Sequence, residues 1–213
     1  MLFDPNNKVV QLCVSGMNAE LEGRAKEAEI QFQEAWELAS DDLEKFAAAH
    51  YIARNHKSPL ECLRWNMEAL NHAKAISNKE VEAYYPSLYL NVAKSFETVG
   101  DLPEATRYFK SAAESCKQLP DGKYGEMIRS GISDGLKRVG ADINQNSQLT
   151  ELIDRWCKRK DLRPLSIVLP AFTGNLGTEI DKQKLISALS FLSATRCLPD
   201  EEQEILTRMI AGS

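Results

Sequence analysis

Apolar residues recur along residues 8–140 at spacings of three and four, the period of a helix that buries one stripe. The clearest stretch runs Tyr89-x-x-Val92-Ala93-x-x-Phe96, then Gly100, Ala105-x-x-x-Phe109, Ala112 and Pro120. Large apolar side chains share one face there, with a small residue between them. A glycine turn follows, and a second helix places a small residue where the two must approach closely. The same grammar appears in Leu12-x-x-Ser15-Gly16-x-x-Ala19, Gly23, Ala28-x-x-x-Phe32 and Ala35. A looser copy is Phe46-x-x-Ala49-His50-x-x-Ala53 with Cys62 and Ala69. Asn66 falls at its second-helix aromatic position, and Trp65 is expected to take over that volume. Ile132, Leu136 and Gly140 hint at a fourth copy. No strand-like alternation of useful length occurs, so the chain reads as all-α.

Local signals set the borders. Ser58-Pro59-Leu60-Glu61 joins an N-cap serine, a first-turn proline and a capping-box glutamate, and Ser77-Asn78-Lys79-Glu80 and Asp101-Leu102-Pro103-Glu104 have the same form. The pattern predicts helices near 8–21, 24–39, 42–55, 59–76, 79–99, 102–118 and 123–139. Pro86 should kink or break the fifth, because it removes a donor and clashes one turn back. Tyr89 is expected in the core, and one of the adjacent Tyr84 and Tyr85 is expected to be exposed or half-buried, since neighbours in a helix cannot both face inward. The polar run Gly140–Ser147 reads as a linker. Four short helical stripes follow, beginning at Leu149, Leu162, Leu185 and Ile205, and do not follow the repeat. Repeat arrays leave an apolar face open at each end, so a non-repeating cap is physically expected. The division is therefore a repeat array over 1–140 and a helical cap over 141–213.

The segment from Tyr89 to Pro120 resembles the tetratricopeptide repeat (TPR) signature W-x-x-L-G-x-x-Y, A-x-x-x-F, P, with conservative replacements, and Leu12 to Ala35 is similar to it. The turn positions Gly23, Lys57, Gly100 and Gly140 are separated by 34, 43 and 40 residues. The first interval is the usual TPR period, and the longer ones suit a long-helix variant. The resemblance covers residues 8–140 and implies a right-handed superhelical array of antiparallel helix pairs, a TPR-like solenoid. In that family the first helix of each pair lines a concave groove that takes a peptide or a helix. Transferred by register, the groove positions are Met17, Tyr51, Arg54, Asn55, Ser87, Asn91, Lys94 and Arg138. Their guanidinium, ammonium and amide groups suit a carboxylate or a peptide backbone. The Lys, Asn, Asn, Lys, Arg carboxylate clamp of chaperone-binding TPRs is not reproduced. The resemblance thus implies a non-catalytic scaffold binding a protein or peptide segment. One alternative is a self-associating module, a homodimer or a groove filled by the chain's own C-terminal helices. Another is a small helical enzyme with a pocket around His50 and Arg54.

Composition narrows the chemistry. The 213 residues carry a net charge of −5 and a pI near 5.4, against the basic face a nucleic-acid binder needs. Lys158-Arg159-Lys160 reads as a solvated helix C-terminus, where cations suit the dipole. The cysteines Cys13, Cys62, Cys116, Cys157 and Cys197 are far apart and odd in number, which suits reduced, mostly buried thiols. No signal-peptide pattern and no apolar run of membrane length occur, so a cytoplasmic location without membrane contact is expected. His50, His56 and His72 lack metal-ligand spacing, and no metal or cofactor is expected. His50, at the repeat's small-residue position, is expected to be packed and hydrogen-bonded. Asp41-Asp42 and Glu201-Glu202 fall at helix starts and complement the dipole there. Thr173–Thr178 lacks the Gly-Lys-Ser/Thr ending of a phosphate loop and reads as a turn between helices.

Overall fold

The structure, a computed structural model, describes residues 3–120, 122–141 and 147–212. Eleven α-helices and no strand occur among them. The chain packs as two compact units, residues 1–128 and 129–213. Of the polar run read as a linker, residues 142–146 lie outside the described ones.

The first unit contains α1 (Lys8–Leu21), α2 (Ala25–Leu38), α3 (Asp42–Asn55), α4 (Pro59–Ala75), α5 (Tyr85–Val99), α6 (Leu102–Ser115) and the start of α7 (Lys123–Arg138). The helices fall where the periodicity predicts. The expected break is present: Lys79–Tyr84 forms a 3-10 turn, and α5 starts afresh at Tyr85 with Pro86 in its first turn, where a missing N–H costs no bond. Helices pack in consecutive pairs, α1 with α2, α3 with α4 and α5 with α6. The pairs are joined through α2 against α3 and α4 against α5, and α1 also meets α3.

Small residues make these pairs possible. Phe32 and Phe109 are fully enclosed among Ala28, Ala35, Ala105 and Ala112, each also without exposed surface. Burying one phenyl ring contributes roughly 2–3 kcal/mol. Gly16 carries the closest approach, since a Cβ there would lie 2.3 Å from the Phe32 ring. Trp65 is buried and packs edge-on against Trp36 at 4.9 Å, filling the degenerate aromatic position as expected. Asn66 beside it is buried too, and its Nδ2 donates to Ser95 Oγ at 2.9 Å.

Two details of the sequence reading are corrected, the burial of Tyr89 and the side-chain caps at Ser58 and Ser77. Tyr89 is only half-buried rather than in the core; Tyr84 and Tyr85 are both half-buried, in line with the expectation that one of them would be. The Tyr85, Tyr89 and Tyr108 rings tilt together, with the Lys74 ammonium 5.4 Å above Tyr89, an arrangement that buries ring faces and leaves a polar edge wet. All four turn positions fall between helices: Gly23, Gly100 and Gly140 take left-handed φ of +75°, +88° and +70°, and Lys57 keeps a negative φ. Its turn is made instead by extended backbone at His56 and Ser58. Neither Ser58 nor Ser77 caps by side chain; Asn78 takes the second cap, accepting from Glu80 N–H.

The second unit contains the rest of α7, then α8 (Ser147–Arg159), α9 (Leu162–Thr173), α10 (Glu179–Ala194) and α11 (Asp200–Ala211). Trp156, Leu152, Val168, Leu192 and Leu206 form its core. A carboxylate read as a dipole partner at a helix start and a cation read as solvated meet at the edge of this core. Glu202 is 3% exposed and accepts from the Trp156 indole N–H at 2.9 Å. Arg159, from the cationic run, closes a two-pronged ion pair on the same carboxylate. One position later, Lys160 adopts φ +56° and ends α8 where other turns use glycine. Cys157 is exposed, unlike the buried Cys13 and Cys116.

Candidate functional site

A hollow of about 850 Å³ opens in the first unit. The helices that line it are α1, α3 and α5, the first member of each pair, and α7, together with Phe3 and Tyr84. From α1 come Val10, Cys13, Val14 and Met17, one turn apart on a single face. Helix α3 supplies Phe46, Ala47, His50, Tyr51 and Arg54, and α5 supplies Ser87, Leu88 and Asn91. The first turn and a half of α7 add Tyr124, Met127 and Ile128. Three of those residues stay exposed, Val14 at 50%, Tyr124 at 46% and Met127 at 61%, and form an apolar rim.

Aromatic contacts fix the wall. Tyr51 stacks on Phe32 at 5.3 Å with nearly parallel planes, and the His50 ring meets Tyr51 edge-on at 5.3 Å. The room that Gly16 leaves for Phe32 therefore also sets where Tyr51 sits. Arg54 lies over the Tyr51 ring at 5.7 Å and pairs with Glu20 at 3.3 Å. The expected hydrogen bond of His50 is absent at Nδ1, which is enclosed and has no partner. The Phe46 and Tyr51 rings pack against the imidazole. Burial, reinforced by the Arg54 charge, drives its pKa down to about 4, so the ring is neutral near pH 7. Burial pushes the Cys13 thiol up to about 12.

A second hollow of about 390 Å³ adjoins the first, sharing Arg54 and Asn91. Its other walls are Ala53 of α3, His56 and Lys57 of the α3–α4 turn, Pro59, Cys62 and Asn66 of α4, and Lys94, Ser95 and Thr98 of α5. A third, of about 540 Å³, lies against α2 and is lined by Glu29, Glu34 and Glu37.

The groove positions taken from register are distributed as follows. Met17, Tyr51, Arg54, Ser87 and Asn91 line the large hollow, and Lys94 joins Arg54 and Asn91 in the adjoining one. The Ser87 hydroxyl is already used, donating to Tyr84 O at 2.9 Å. Asn55 turns away: its Nδ2 donates to Glu20 Oε1 at 2.8 Å, and it lines the acidic hollow. Arg138 is exposed near the end of α7 and belongs to the second unit. Val10, Val14, Phe46, Leu88, Tyr124 and Met127 were not singled out by register. The available signal was apolar residues beyond the packing stripe, plainest in Val14, Tyr124 and Met127, which stay exposed.

Other candidate chemistry resolves into packing. His72 Nδ1 lies 2.8 Å from Asp42, His56 stacks on Trp65, and no cluster of His, Cys, Asp or Glu among the described residues is arranged to hold a metal ion. In the Thr173–Thr178 loop the Leu176 N–H donates to Asp181 Oδ2 at 3.1 Å, so the chain's own carboxylate takes the place of an external anion. No helix among the described residues is long and apolar enough to cross a membrane. No protein-family model matches the chain, and no curated protein or solved structure is significantly similar to it.

Proposed function

We propose that this protein is a non-catalytic, TPR-like scaffold whose first unit takes a protein or peptide segment in the hollow between its odd-numbered helices. The observation that carries the proposal is the lining itself. Residues from α1, α3, α5 and α7 converge on one apolar hollow with an exposed rim, while the even helices contribute nothing to it. Five positions chosen from repeat register alone belong to that lining. A large apolar hollow with a few convergent polar groups is where ligands bind, and an exposed apolar rim of this kind marks a contact surface.

The titration of the hollow favours binding over catalysis. A cysteine nucleophile needs a lowered thiol pKa and a protonated or proton-accepting partner. Here burial raises Cys13 and lowers His50, leaving both neutral near pH 7.

The test is selection from a library of short amidated peptides of known sequence on immobilised protein. The wild type should retain a reproducible set of apolar peptides. The rim variants Val14→Asp and Met127→Asp should lose them at unchanged melting temperature, because both side chains are exposed. Retention that survives both substitutions would move the binding surface elsewhere.

A further inference from the structure

We infer that the segment taken by this groove is acidic: a large apolar side chain enters the main hollow, and carboxylate side chains next to it lie over Arg54, Lys57 and Lys94. The inference rests on the peptide-binding reading of the same face and adds the chemistry of the partner.

The sorting of charge carries it. The chain holds 31 acidic residues against 26 basic ones, yet no Asp or Glu lines either of the two joined hollows. Lys57 and Lys94 are exposed and make no ion pair among the described residues. Arg54 gives one contact to Glu20 and keeps 50% of its side chain exposed, so its remaining N–H groups face outward. Asn91 stands where the apolar and cationic parts meet, and its amide makes no hydrogen bond among the described residues. It suits a backbone or carboxylate oxygen that passes between the two parts. In the floor of the apolar part, the unpartnered Nδ1 of His50 offers a neutral imidazole to a polar tip on the buried side chain.

The surroundings add selection by repulsion. The hollow against α2 presents Glu29, Glu34 and Glu37, which disfavour an acidic segment there and leave the Arg54 side as the place it docks. Three cations from α3, its following turn and α5 offer more positions than one terminal carboxylate fills. The charge is therefore expected on side chains within the segment.

Composition of the peptides retained from the amidated library tests this directly, since amidation removes the terminal charge. Asp and Glu should be enriched beside Leu, Phe or Met, and Lys and Arg depleted. For the best peptide, fluorescence anisotropy should show affinity falling steeply as salt rises from about 0.05 to about 0.5 M, where the screening length shortens to a few ångströms. The double variant Lys57→Glu with Lys94→Glu should weaken it roughly tenfold or more, with circular dichroism unchanged because both side chains are exposed. Enrichment of neutral or basic peptides, or affinity indifferent to salt, overturns the acidic assignment while peptide binding stands. Binding that appears only with free-acid peptides overturns it in favour of chain-end capture. Retention of no peptide at all removes both the partner chemistry and the groove function.

Discussion

A methyl group on Gly16 would meet the Phe32 ring at 2.3 Å, and the ring has no room to retreat because it is fully buried and stacked on Tyr51. Gly16→Ala is therefore expected to destabilise the first unit by roughly 1–3 kcal/mol, as overpacking of a close-packed core does. Adding Phe32→Leu should recover part of that loss. Urea denaturation of the two single variants and the double variant reads the coupling, and strict additivity would mean that the ring and the glycine do not meet. His50 yields a pH dependence. Its pKa is about 4 in the folded protein against 6.5 ordinarily, so the unfolded chain binds the extra proton first as pH falls. The stability tied to the neutral ring is whole above pH 6.5 and is lost as pH drops through 4. The full loss is about 3 kcal/mol. His50→Leu should lack this component, so the stability gap between wild type and variant should shift toward the variant on acidification. A gap constant from pH 7 to 4 would contradict a buried neutral imidazole. Sequence spacing placed His50 at a tight repeat position, but it did not reveal the missing hydrogen bond. That depends on what the other helices bring within 3 Å.

One buried carboxylate joins helices α8 and α11, beside an exposed pair between Arg155 and Glu201. Glu202 is nearly inaccessible, takes the Trp156 N–H and is held below the usual carboxylate range chiefly by the Arg159 guanidinium. Removing one partner of a buried pair leaves the other's desolvation uncompensated. Arg159 keeps 41% of its side chain exposed, so water softens the penalty. Glu202→Ala is expected to cost about 2–3 kcal/mol, and Glu202→Gln, which still accepts from the indole, distinctly less. Thermal melts of both variants check the order, and equal costs would show that the charge is irrelevant. At this scale helix positions were legible throughout, and so was the break at Pro86. The inward role of Glu202 was not. Two adjacent acids at a helix start look alike, and packing against α8 alone selects which one turns inward.

Across the molecule, charge and apolar surface are sorted in ways composition conceals. A net charge of −5 forecasts an acidic surface, yet Arg54, Lys57 and Lys94 gather where no carboxylate lines the cavity. Helix period, small residues at close approaches and left-handed glycines are local properties of the chain, written within a turn or two of each residue. Periodicity was therefore enough to place eleven helices among the described residues, and five of the positions taken from repeat register line the large hollow. It sent Asn55 into the groove as well, but that side chain instead bonds Glu20 on α1. Which apolar residues meet was settled by long-range packing: Tyr124 and Met127 of α7 complete a hollow begun by α1, more than a hundred residues earlier. No local pattern encodes that meeting, because it follows from how successive helix pairs stack, and the hollow exists only once they have done so.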